Sequence, residues 1–214
     1  MTDLHATIEQ LLGAARLVAV LTIERAADAV PIARALVAGG VRTLEITLRT
    51  AAAADAAAAI QAEVPEAIVG LGTVVRVQDL ELAHRLGLPF AFSPGATAEL
   101  LDAAVALGVP FIPGVATASE LIAVLARGFR TVKFFPAREL GGPAALSALG
   151  GPFPTVRFNP TGGVTQANMA AYLALPNVVA VGGSWLAPPA DIRARNWGAM
   201  TERAQAAIAE TRRA

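Results

Sequence analysis

The residues best suited to chemistry lie in Thr131–Ala137, Thr-Val-Lys-Phe-Phe-Pro-Ala, around Lys133, the only lysine in 214 residues. Lysine and arginine together number 17, so every other basic residue in that count is an arginine. Arginine keeps its proton in any protein setting, whereas lysine can shed it. That difference matters only where the amine must act as a nucleophile. Desolvation among aromatic side chains favours a neutral amine, and a neutral amine attacks a ketone to form a Schiff base. Lys133 stands between Val132 and Phe134, in a β-branched and aromatic run that reads as a strand. The plainer alternative is a strand-end lysine carrying its head out to water.

A second candidate lies in Thr43-Leu44-Glu45-Ile46-Thr47-Leu48-Arg49. Strand alternation puts Thr43, Glu45, Thr47 and, in a longer strand, Arg49 on one face, with Leu44, Ile46 and Leu48 on the other. By the same rule Thr131, Lys133 and Phe135 share a face. If both faces point into one enclosure, the amine of Lys133 meets the carboxylate of Glu45, a group able to shuttle protons in a dry pocket. A simple salt bridge from Glu45 to Arg49 or to Lys133, with no proton transfer, fits the same residues. The planar fork of Arg49 suits a carboxylate ligand, or it is one more solvated arginine.

Gly72-Thr73 and Ser93-Pro94-Gly95 close two further strands, and turn chemistry alone accounts for either. Pro160-Thr161-Gly162-Gly163 and Gly182-Gly183-Ser184 are more telling as a pair. Their glycines let an anion approach backbone N–H groups, and Ser184 adds a hydroxyl.

The elements that would position these residues alternate along the chain. A leading helix is expected at Thr7–Ala15, with Thr7 and Gln10 at capping-box spacing. Strands are expected at Val18–Ile23, Val41–Thr47, Ile68–Gly72, Phe90–Ser93, Phe111–Pro113, Thr131–Phe135, Val156–Asn159 and Val178–Val181, with helical segments between them and a closing helix at Asn196–Arg213. Strict alternation implies a parallel sheet with helical crossovers. Eight units favour a single (β/α)8 TIM barrel over 1–214 with an N-terminal leading helix; the competitor is a doubly wound open sheet. No Gly-x-Gly-x-x-Gly follows the first strand, and the glycine turns follow strands seven and eight, where barrels commonly hold a phosphate.

Composition narrows the function classes. Hydrophobic residues make up 55%, swollen by the alanine runs Ala51–Ala54 and Ala56–Ala59, which read as helix. Net charge is zero and the arginines are scattered, which argues against nucleic acid. The absence of cysteine fits a cytoplasmic chain, and Leu17–Ile23 is too short to span a bilayer. His5 and His84 lack ligand spacing, so no metal site is expected.

Two long motifs carry a resemblance. Gly40 through Arg49 resembles the glutamate motif of the 2-keto-3-deoxy-6-phosphogluconate (KDPG) and 4-hydroxy-2-oxoglutarate aldolases. Gly128 through Gly141, around Val132-Lys133-Phe134-Phe135-Pro136-Ala137, resembles their Schiff-base lysine motif. Ser93-Pro94-Gly95, Pro113-Gly114, Asn159-Pro160-Thr161-Gly162-Gly163 and Gly182-Gly183-Ser184-Trp185 also fit, and Ala19 stands where that family often has proline. The resemblance implies a class I aldolase, a homotrimer of (β/α)8 barrels needing neither metal nor other cofactor. It would give Lys133 the imine, Glu45 the proton relay, and Arg49 and Thr73 the pyruvate carboxylate. Pro94, Phe135 and Thr161 would line the pocket; Gly162, Gly163 and Ser184 would hold the 6-phosphate. The implied substrate is a 2-keto-3-deoxy sugar acid phosphate, cleaved to pyruvate and glyceraldehyde 3-phosphate in the Entner–Doudoroff route. A sister aldolase for the galactonate epimer or for 4-hydroxy-2-oxoglutarate, and a catalytically silent sugar-phosphate-binding barrel, are the alternatives.

Overall fold

The computed structural model of the chain describes residues 2–213, with side chains from residue 8 onward. Its strands are β1 (Leu17–Leu21), β2 (Thr43–Thr47), β3 (Ile68–Gly72), β4 (Ala91–Phe92), β5 (Phe111–Ile112), β6 (Gly114–Val115), β7 (Thr131–Phe134), β8 (Arg157–Pro160) and β9 (Val181–Gly183). Every pairing is parallel, in the orders β5-β4-β3-β2-β1-β9 and β6-β7-β8. Single bridges, Phe158 to Val178 and Thr161 to Gly182, link β8 to the β9 segment. β5 and β6 are two halves of one stave, interrupted at Pro113, and the Pro113 carbonyl accepts from the Lys133 N–H at 2.9 Å. The result is a closed eight-stave barrel. The sequence suggested one uninterrupted short strand at Phe111–Pro113; proline has no N–H for a ladder, so the pairing breaks there.

The helices are α1 (Thr2–Ala15), α2 (Ala26–Ala38), α3 (Ala53–Glu63), α4 (Val77–Arg85), α5 (Ala98–Leu107), α6 (Ala118–Leu125), α7 (Gly142–Gly150), α8 (Met169–Leu173), α9 (Pro189–Ala194) and α10 (Trp197–Thr211). In the alanine-rich α3, Ala53, Ala56, Ala57 and Ile60 are buried, the three-and-four spacing of one helical face.

Alternation along the staves sorts the core into two layers. Leu17, Ala19 and Leu21 face outward into the layer shared with the helices, together with Leu44, Ile46, Val132 and Phe134. Val18 faces inward, in a smaller cluster with Phe90, Phe92, Ile112 and Ala180. Ile8 and Leu12 of α1 belong to that inner cluster, so the leading helix stoppers one end of the barrel. The other end is left for polar groups.

Some boundaries differ from the sequence reading. α1 starts at Thr2, so Thr7 lies inside the helix and cannot be its N-cap; the Thr7 side chain is outside the described residues. A capping box does form at Thr117, whose hydroxyl accepts from the Glu120 N–H at 3.3 Å while Glu120 accepts from the Thr117 N–H at 2.9 Å. β2 begins at Thr43 rather than Val41, and the last stave pairs mainly through Val181–Gly183. The sequence reading has no element between Val181 and Asn196, where the short α9 forms with proline at its start, a position that residue suits.

Candidate active site

Glu45 is the central residue of β2 and Lys133 the third of β7. The chain folds them toward each other across the barrel. Lys133 Nζ donates to Glu45 Oε1 at 2.8 Å and to Oε2 at 3.1 Å. Their side chains are 6% and 1% exposed, so the pair is withdrawn from bulk water. The Lys133 ammonium lies 5.1 Å from the ring centroid of Phe92 and 5.7 Å from that of Phe135, within cation–π range. Lys133 therefore does not carry its head to the surface, and the partner of Glu45 is Lys133, not Arg49. A buried ion pair is a poor way to stabilise a fold, because desolvating both charges offsets their attraction. Such a pair at the polar end of a barrel is better explained by chemistry.

The neighbouring stave makes room for it. Glu45 is in register with Gly70 on β3, and Gly72 follows two residues on. A Cβ built on Gly72 would lie 2.5 Å from Glu45 Cγ and 2.6 Å from Cδ. Only the absence of a side chain lets the carboxylate occupy that space.

Around this pair the structure gathers the other sequence-predicted residues at the ends of the staves. Arg49 sits exposed in the turn after β2, with no hydrogen bond or ion pair among the described residues. Thr73, directly after β3, has φ +60°. That left-handed conformation is strained for a β-branched residue, and such strain concentrates at functional sites. Pro94 is half-buried after β4; beside it, buried Ser93 accepts from the Gly114 N–H at 3.0 Å. Gly114 is the register partner of Lys133, so this bond ties the β4 loop to the lysine's neighbouring stave. Phe135 is half-buried at the end of β7.

The two glycine loops are adjacent, as the barrel reading requires. Thr161 bridges to Gly182, and the Thr161 hydroxyl donates to Asn159 Oδ1 at 3.2 Å. Gly162 and Gly163 have φ +95° and +71°, which a side chain would strain. Ser184 is exposed beside them.

Two residues escaped the sequence reading as site members. Asn159 is fully buried, in register with Lys133, and its Nδ2 has no hydrogen-bond partner among the described residues. Its signal was available: an amide at an inward position of a strand. Arg138 is the second. Its N–H donates to Gly162 O at 3.0 Å, and its Cδ lies 2.7 Å from where a Gly163 Cβ would stand. The Arg138 side chain is exposed, without an acidic partner among the described residues. Nothing in its sequence position marks it, since the approach depends on β7 and β8 lying side by side.

A barrel that holds a desolvated lysine against a carboxylate below an arginine-lined mouth has the equipment of an imine-forming carbonyl enzyme. Comparison with known proteins gives the family. The family model described as KDPG and KHG aldolase matches residues 8–203. The KHG/KDPG aldolase of Escherichia coli K12 is 47% identical over 97% of this chain and 98% of its own length. The 2-dehydro-3-deoxy-phosphogluconate aldolase of Pseudoalteromonas atlantica is 49% identical over 90% of this chain and 89% of its own. Among solved structures, the KDPG aldolase of Legionella pneumophila, with pyruvate captured as a covalent carbinolamine, superposes with a TM-score of 0.90. It is 42% identical over 93% of this chain and 97% of that one. The chain belongs to the KDPG and KHG aldolase family.

Proposed function

We propose that this chain is a class I aldolase that cleaves 2-keto-3-deoxy-6-phosphogluconate to pyruvate and glyceraldehyde 3-phosphate, and that it also accepts 4-hydroxy-2-oxoglutarate. The observation that carries the reading is the buried contact of Lys133 Nζ with Glu45 at 2.8 Å. The contact sets an amine beside a carboxylate able to take and return its protons.

Glu45 takes a proton from the Lys133 ammonium, the freed amine adds to the 2-keto carbon, and Glu45 hands that proton to the carbonyl oxygen to give a carbinolamine. Loss of water from this adduct leaves a protonated imine. The imine is the electron sink for the next step. The substrate's 4-hydroxyl gives up its proton to Glu45, the C3–C4 bond breaks, and the aldehyde departs. The electron pair of that bond moves into an enamine attached to Lys133. Glu45 returns the proton to the enamine carbon, and water hydrolyses the imine to release pyruvate. Each transfer needs a carboxylate within hydrogen-bond reach of the reacting centre.

Arg49 and Thr73 bind the carboxylate next to the reacting carbon, with Pro94, Phe135 and Thr161 as pocket walls. Gly162, Gly163 and Ser184 take the phosphate. A single-domain chain assembled as a homotrimer in the cytoplasm completes the proposal. No described helix is long and apolar enough to cross a membrane.

The decisive experiment is borohydride reduction in the presence of pyruvate, followed by peptide mass spectrometry. One adduct on Lys133 is expected. Modification confined to the terminal amine would overturn the Schiff-base assignment.

A further inference from the structure

We propose that the stoppered end of the barrel, remote from the Lys133 mouth, carries a second binding site, for a compact oxyanion bearing two or more negative charges. A cavity of about 650 Å³ opens there between the end of α1, the entry to β2 and the end of α10. That volume is in the usual range for small-molecule sites. Among the described residues three arginines line it, Arg16, Arg42 and Arg212, together with the hydroxyl-bearing Thr43, and no aspartate or glutamate does.

Two buried polar groups there lack partners. Thr43 is 1% exposed, and its Oγ1 has no hydrogen-bond partner among the described residues. The same holds for Arg16 Nε, although another nitrogen of that guanidinium donates to Leu173 O at 3.2 Å. Native proteins leave few buried polar atoms unpaired; both atoms belong to residues of the cavity wall but are closed off from its open space, and a turn of either side chain would present it to a ligand. Thr211, also in the wall, already donates its hydroxyl to Ile208 O at 2.8 Å, so Thr43 is the free hydroxyl donor.

Two of the three arginines are uncommitted. Arg42 and Arg212 are exposed, with no acidic partner among the described residues. Arg16 ends α1 with φ +53°, at a position where glycine or asparagine is usual. The strain of a longer side chain there is offset if its guanidinium has a task. Guanidinium forks match carboxylate and phosphate oxygens two at a time, which selects the ligand chemistry. The location is distinct from the catalytic mouth: Thr43 and Glu45 share the inward face of β2, with Thr43 at the stoppered end.

The test is isothermal titration calorimetry of the whole protein with citrate and, separately, with pyrophosphate, at constant ionic strength. Wild type is compared with the double variant Arg42→Gln/Arg212→Gln. The glycine loops can also take up phosphate, so the difference between the two proteins is the readout. Expected is a saturable binding event in wild type that weakens by about tenfold or more for each arginine removed, the scale of a lost charge-assisted contact. Binding of citrate alone identifies a polycarboxylate ligand, and binding of pyrophosphate alone a phosphorylated one. Equal affinity in the two proteins, or no saturable binding of either anion to wild type, overturns the proposal. If the unliganded double variant melts several degrees lower, each single variant is titrated instead, and equal affinity in both singles overturns it as well.

Discussion

Gly72→Ala adds one methyl group and tests whether the position of Glu45 matters. Gly72 lies in extended β3, so alanine meets no backbone obstacle. Its Cβ would stand 2.5 Å from Glu45 Cγ and 2.6 Å from Cδ. Carbon atoms in contact settle at about 3.5–4.0 Å, so the carboxylate must retreat by about 1 Å. Retreat along the line to Lys133 would stretch the 2.8 Å contact to about 3.8 Å, outside hydrogen-bond range. A misplacement of about 1 Å at a reacting group costs about 10²-fold in rate. Crowding of this kind also destabilises a fold by about 1–3 kcal/mol, leaving the protein folded at room temperature. The assay is pyruvate release, coupled to lactate dehydrogenase, alongside urea denaturation of the same preparation. The expected outcome is a fall of about 10²-fold in kcat with a modest shift in the urea midpoint. Glu45→Asp withdraws the carboxylate by one methylene and frees the space the methyl needs. The double variant should therefore be more active than the two single losses multiplied together imply. Wild-type turnover in Gly72→Ala would mean that the observed Lys133–Glu45 geometry is irrelevant to the chemistry.

Three further outcomes follow from the site. Lys133→Arg keeps a charge but loses the nucleophile, so turnover and borohydride trapping should both vanish while circular dichroism is retained; residual wild-type activity would refute the role. Glu45→Gln should slow turnover by about 10²–10⁴-fold, the range for a lost acid–base group. Exchange of pyruvate methyl protons with solvent, followed by NMR, should slow with it, and an unchanged exchange rate would remove Glu45 from the relay. Ser184→Ala should lower kcat/KM for the phosphorylated substrate by about ten- to a hundredfold, the scale of one hydrogen bond to a charged group, while sparing 4-hydroxy-2-oxoglutarate. Equal losses on both substrates would count against a phosphate subsite. Serine is the better target than Gly163, because a side chain at φ +71° is strained and would collide with Arg138.

Much of this site was legible because its chemistry and its periodicity coincide. Lys133 announces itself as the sole lysine, embedded in an apolar strand, and Glu45 by alternating with Leu44 and Ile46. Parallel staves then bring inward positions together with little freedom in register. The eight-fold alternation was equally readable, because each stave and helix carries its own period. Other features needed the folded chain. The break at Pro113 depends on which ladder its missing N–H would have joined. The start of α1 was hidden because Thr7 imitates a cap. Arg138 acquires its place only from the adjacency of β7 and β8, and its local sequence says nothing about Gly163. Whether Arg49 pairs with Glu45 turned on where β2 ends, two residues short of it.

The single lysine also makes the chain an unusual reagent target. Amine-directed labels and cross-linkers find one side chain, at the base of the mouth, besides the chain's α-amine. Attachment to an amine-reactive support therefore proceeds through the terminus or through the Lys133–Glu45 pair, never through the outer wall of the barrel. A lysine-specific endopeptidase has one bond to cut, after Lys133 inside β7, where both neighbouring staves hold the backbone. That bond opens only when the barrel itself opens. The appearance of two fragments over time would then report global unfolding directly, with no engineered cleavage site and no dye.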